Sequence, residues 1–172
     1  PALPHCALAP ARLRTLVAAY PPPPPPGQPF LLGPDACNIF RPYAHTAPDR
    51  LALPVPNLPT RTPVTRPGWQ MSSLVVLPAQ PSSATYTLDC QRIPTAQTPT
   101  QVAAAQLAAC VPLLPEQTTP QGQLLYPRLV CDRASGNARF VAATAAVRCG
   151  KLLRTPRNRV FYQPPPPRTG QR

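Results

Sequence analysis

The clearest periodicity lies in the second half of the chain. In ATYTLDCQR, residues 84–92, Tyr86, Leu88 and Cys90 fall on one side and Thr85, Thr87 and Asp89 on the other. That period of two marks a half-buried strand. SLVVL, residues 73–77, is a short continuous apolar run of the kind found in a buried strand. QLLYPRLVCDR (123–133) and ARFVAATAAVRCGKLL (138–153) read as two further strands, and the link 132–137, DRASGN, has hairpin composition. RVFYQ, residues 159–163, predicts a last strand. One segment, the Ala-rich stretch 102–110, predicts a helix of about two turns. Near the start, Leu13, Leu16 and Val17 have helical spacing, but the flanking prolines favour an extended form for residues 13–20.

Several short strands with turn signals at fairly even spacing predict a mainly β fold: a small β-sandwich of immunoglobulin-like architecture. Proline shapes the rest. The chain has 31 Pro against 7 Gly in 172 residues. Proline without glycine makes stiff, extended segments and excludes long helices. Pro21, Pro22, Pro23, Pro24, Pro25 and Pro26 are consecutive, and Pro164, Pro165, Pro166 and Pro167 form a second block. A polyproline II run of the first kind is a rod of ~19 Å. The predicted organisation is therefore an N-terminal arm (1–20), a polyproline rod (21–27), a β-rich domain (28–163) and a Pro-rich tail (164–172). Pro1 is not an initiator Met, which reads as a processed chain.

Hydrophobic residues make up 43% of the chain, but alanine fills much of that fraction, so the core is thin and needs staples. Cys6, Cys37, Cys90, Cys110, Cys131 and Cys149 have no CxxC spacing, and there are two His, so disulfides are preferred to zinc. An even count points to a secreted, oxidising setting. Six cysteines allow fifteen pairings, among which the sequence does not choose; Cys110–Cys131 and Cys90–Cys149 are the pairings adopted as the expectation. The domain from residue 28 onward holds five cysteines, which leaves Cys6 to bond the body across the rod. It can reach Cys37 of its own chain or a neighbour. An arm exchanged head-to-tail makes an open filament. Leu13, Leu16, Val17 and Tyr20 are the candidate donor residues.

Net charge is +12, from 17 basic residues, of which only Lys151 is lysine, and 5 acids. Such a chain suits an anionic partner, whether polysaccharide or nucleic acid. The arginines are dispersed, with no run of five, which argues against a nucleic-acid groove. No apolar run reaches the ~18 residues of a membrane span.

The Tyr-(Pro)6 and Tyr-Gln-(Pro)4 blocks, with Thr-Pro and Ser residues scattered along the chain, resemble the hydroxyproline-rich extracellular glycoproteins of plants and green algae. This likeness is compositional and covers about a sixth of the chain. It implies prolyl hydroxylation and O-glycosylation at Pro21–Pro26 and Pro164–Pro167, with Thr60, Thr62 and Thr98 as secondary sites. No Asn-x-Ser/Thr sequon occurs at Asn38, Asn57, Asn137 or Asn158.

Reaction chemistry is not legible. Asp89 and Asp132 each flank a cysteine at a strand end, His5 adjoins Cys6 in the arm, and Gly27, Gly33 and Gly68 form no phosphate loop. The expectation is thus a non-enzymatic, cofactor-free structural subunit of a secreted, glycosylated fibre. Its partners are copies of itself, O-glycans and anionic polysaccharide. The alternatives are a basic RNA-contacting protein, such as an organellar ribosomal subunit, and a secreted binding or inhibitor domain.

Overall fold

A computed structural model describes residues 9–43, 46, 48–55, 64–80, 84–132 and 137–155. Its elements run in the order α1 (Pro10–Ala19), β1 (Leu31–Phe40), β2 (Leu51–Pro54), β3 (Thr65–Val76), β4 (Tyr86–Arg92), α2 (Pro99–Cys110), β5 (Gln117–Thr118), β6 (Leu124–Leu125), β7 (Arg128–Cys131), α3 (Ala138–Ala143) and β8 (Gly150–Leu153). A 3-10 turn, Val111–Leu113, follows α2. The main sheet has the order β2-β3-β1-β7-β8, and β4 shares with β2 the far edge of β3. β5 and β6 make a separate small ribbon.

This is a mixed α/β fold with open sheets, not the expected disulfide-stapled sandwich. The strands of the first half pair antiparallel: Leu32 faces Val76 and Phe40 faces Gly68. β7 and β8 instead run parallel to β1 and to each other. The predicted hairpin between 123–133 and 138–153 therefore does not exist. Parallel neighbours need a crossover, and the first part of the second segment supplies it as α3. Asn137 caps that helix by accepting from the Phe140 backbone N–H at 3.0 Å, and Phe140 is wholly buried.

The helices cover one face of the sheet. Leu32 of β1, Leu74 and Val76 of β3, Leu88 of β4 and Leu129 of β7 point into a single cluster with Leu107 of α2 and Phe140 of α3. Thr98 caps α2 in a reciprocal pair with Gln101, and Pro99 starts the helix with φ already set. Its small Ala103 and Ala104 let the helix backbone sit close to the strands. Inside this apolar layer Ser72 and Gln106 bond twice: Ser72 Oγ to Gln106 Oε1 at 2.6 Å, and Gln106 Nε2 to the Ser72 carbonyl at 3.1 Å. A register shift between Leu74 and Val75 gives β4 an extra residue, which buries Leu88 while Asp89 still reaches α1.

The arm is a helix, not an extended donor strand. Pro10 starts α1, and Tyr20 before Pro21 ends it, so the prolines that suggested extension act as start and stop signals. α1 is seated on its own body. Ala18 is fully buried, Arg14 pairs with Asp89 at 3.3 Å, and the Tyr86 hydroxyl donates to the Val17 carbonyl at 3.0 Å. The proline block does not project either. Pro21 is buried, the Gln28 N–H closes a turn onto the Pro25 carbonyl, and Gly27 takes φ +73° against the ring of Pro120. The predicted strand 159–163 and the tail 164–172 lie outside the described residues.

Gly68 sits where β1, β2 and β3 meet, opposite both Phe40 and Leu51. A Cβ there would lie 2.3 Å from the Ile39 carbonyl oxygen, a backbone atom that cannot step aside. Gly68→Ala is expected to destabilise the fold by about 2–3 kcal/mol through overpacking. Urea unfolding will read this as a lower midpoint at unchanged slope; an unmoved midpoint refutes the close approach.

Candidate functional site

The five described cysteines, Cys37, Cys90, Cys110, Cys131 and Cys149, are free. Cys6 lies outside the described residues. The expected Cys90–Cys149 bond is excluded by topology. Cys90 is on β4 and Cys149 adjoins β8, four inter-strand steps away through β3, β1 and β7. At ~4.8 Å per step that is ~19 Å, well beyond the ~7 Å Cα limit of a disulfide. Cys110 and Cys131 share the core cluster as unbonded thiols. With no bridges in the body, the odd count that sent Cys6 outward carries no argument.

Two thiol classes result. Cys37 and Cys90 lie on the uncovered face of the sheet and are exposed; Ser73 Oγ sits 3.4 Å from Cys90 Sγ. Burial pushes Cys110 up to about 11, helped by the nearby Asp89 carboxylate and opposed by Arg14. Burial likewise raises Cys131 to about 11, with Asp132 and then Cys149 adding to it. Cys149 is raised by burial against the pull of Lys151. Cys110 and Cys131 are core thiols and Cys149 a half-buried one, all held toward the unreactive protonated form.

No carboxylate pair of the glycosidase kind forms from Asp89 and Asp132. β4 and β7 are separated by β3 and β1, and Asp89 is engaged by Arg14 on the helix-covered face. Among the described residues no group of three or more His, Cys, Asp and Glu is placed to hold a metal ion. No helix among them is long and apolar enough to cross a membrane. His5 and His45 lie outside the described residues. Leu13, Leu16 and Tyr20 are exposed on α1 and Val17 is half-buried, so the candidate arm residues line a docked helix. Within the first proline block, Pro22, Pro23 and Pro26 are exposed, and Pro24 and Pro25 are half-buried. Pro22 to Pro25 form one wall of an apolar pocket of about 430 Å³ whose other side includes Val76, Leu77 and Tyr86.

What the fold does gather is arginine. Antiparallel pairing brings three distant segments to one end of β3. The Arg41 N–H bonds the Pro67 carbonyl, Leu53 pairs with Arg66, and Leu51, next to Arg50, pairs with Gly68. Arg50 and Arg66 flank a shallow depression of about 270 Å³ floored by Leu51, Ala52 and Pro67. Further along β3, the Trp69 indole N–H donates to the Pro48 carbonyl at 3.1 Å. The Arg92 guanidinium lies 5.7 Å from the Trp69 ring centre and pairs with Asp49 at 3.0 Å. Asp49 adopts φ 54°, a left-handed conformation that Asp tolerates, and also accepts from Thr95 Oγ. Tyr43, 89% exposed, stands two residues from Arg41. Among the described residues of this end, Asp49 is the sole acid.

The sequence does not single out Arg41, Arg50, Arg66 or Arg92, because only the register brings their segments together. A second aromatic–basic pairing occurs at the other side of the molecule. Arg148 donates to the Tyr126 hydroxyl, and its guanidinium lies 4.6 Å from that ring centre.

No family model, curated protein or solved structure matches this chain.

The free-thiol arrangement has a direct check. With a small thiol reagent at pH 8, native protein is expected to lose Cys37 and Cys90 quickly. Cys110 and Cys131 should be modified only when denaturant is added, at least ~10-fold more slowly without it, because thiolate is the reactive form. Mapping modified peptides by mass decides it. Rapid native labelling of Cys110, or any of the five found already bridged, counts against this picture.

Proposed function

We propose that the chain is a non-catalytic module that contacts single-stranded RNA through the arginine-rich end of its sheet. The observation that carries this reading is that strand pairing brings the segments carrying Arg41, Arg50, Arg66 and Arg92 to the part of β3 that holds Trp69, in a chain of net charge +12. Arginine forks suit phosphate oxygens, and an aromatic ring offers a base a stacking surface. Arg92 is committed to Asp49, so it orients the ring, and Arg41, Arg50 and Arg66 would meet the backbone. The free thiols of the body accord with a reducing compartment.

The expected fibre subunit had two physical supports, a projecting rod and a strand to donate. The first proline block lies against the body and residues 10–19 are helical, so neither supports that route. Anionic polysaccharide shares the charge chemistry of RNA but offers no bases to stack.

Trp69 is the single Trp, so its fluorescence reports on this end alone. Titration with an unstructured oligoribonucleotide is expected to quench it saturably. Log K should fall linearly with log salt, and Arg50→Ala with Arg66→Ala should flatten that slope by about 1.4, at ~0.7 for each phosphate no longer neutralised. Salt-independent binding, an unchanged slope in the double variant, or tighter binding to a sulfated polysaccharide of equal charge would each overturn the proposal.

A further inference from the structure

A second apolar groove, of about 460 Å³, opens between the 3-10 turn after α2, the β6 ribbon and the residues leading into β8. Phe30, Val111, Leu114, Leu124, Tyr126 and Val147 line it. Phe30 is its buried floor, while Leu124 and Tyr126 are 40% and 42% exposed at its mouth. Arg148 holds the Tyr126 ring in place, and Glu116 stands on the rim. A fixed aromatic ring beside aliphatic walls is the surface on which proline rings pack. A polyproline segment loses little entropy on docking, because its conformation is preformed.

The chain carries such a segment, Pro164–Pro167, within reach of the groove. The first proline block is already placed against the other apolar pocket, so the second is the available one. β8 begins at Gly150, whose N–H bonds the Pro127 carbonyl next to Tyr126, and it runs away from the groove toward Leu153. Among the described strands β8 pairs with β7 alone, which leaves its other edge open. From the end of β8 at Leu153 the chain has ten residues, 154–163, before the second proline block. Ten residues reach up to ~33 Å, against ~13 Å for the four residues of β8, so the block is within reach of the groove beside Val147 and Arg148.

We infer that the groove lined by Tyr126, Leu124 and Val147 is the docking site of this chain's own Pro164–Pro167 segment. Arg168 follows the block directly and is opposite in charge to Glu116 on the groove. The docking is independent of the RNA reading, which concerns the opposite part of the sheet.

The test uses the full chain with Ala146→p-benzoylphenylalanine, an exposed position on the groove. Irradiation of an equal mixture of isotopically light and heavy protein is followed by trypsin and mass mapping. The expected product joins the groove to the tryptic peptide 160–168, with both halves of one isotope. Replacing Pro164 to Pro167 by serine is expected to lower the yield at least tenfold. Cross-links only to other segments overturn the inference. So do links only between chains of different isotope, and so does a yield that survives the serine replacement.

Discussion

Two hydrogen bonds between Ser72 and Gln106 set the position of everything above the sheet. They are buried in an apolar layer, where an unpaired amide or hydroxyl would cost about 1–3 kcal/mol. Sliding α2 by one residue along β3 would break both at once and leave their groups unsatisfied. Alanine-rich packing alone tolerates such a slip, because Ala103 and Ala104 present little shape. The polar pair therefore supplies register where the hydrophobic packing supplies mainly affinity. α1 leans on α2 and β4, and α3 leans on α2, so an error at Ser72 would propagate to all three helices.

How much of this was legible depended on whether the signal was local. The alternation at residues 84–92 located β4, the run 73–77 marked the end of β3, and the Ala-rich stretch 102–110 lay inside α2. Local signals failed where proline has two meanings. Pro10 and Pro21 bracket ten residues, and the same bracket fits an extended arm or a helix with a start and a stop. Burial against Asp89 and Tyr86, far along the chain, decided for the helix. The segment 138–153 misled differently: its apolar content is continuous, and only the Asn137 cap and the buried Phe140 separate a helical first part from a strand at its end.

The cysteines failed for a topological reason. Counting them assumes that sulfurs near one another in a folded body bond, but the register shift at Leu88 breaks the expected alternation of β4 and turns Cys90 to the open face, while Cys110 on α2 and Cys131 on β7 lie in the core. The arginine cluster was hidden by the same geometry working the other way. Arg41, Arg50, Arg66 and Arg92 look dispersed along the chain and converge only through the register of β1, β2 and β4 on β3. A dispersed basic composition is thus compatible with a concentrated field at one end of a sheet.

The parallel pairing of β1 with β7 also sets an order of events during synthesis. The meander β1, β3 and β4 can close once Arg92 has left the ribosome, since all its partners are then present. The other edge of β1 has to wait for Arg128 and Leu129. Until then a strand carrying Leu31 and Leu32 presents bare backbone on one side. Non-local closure of this kind lengthens folding and prolongs exposure to mispairing, so the nascent chain depends on its early half being stable alone.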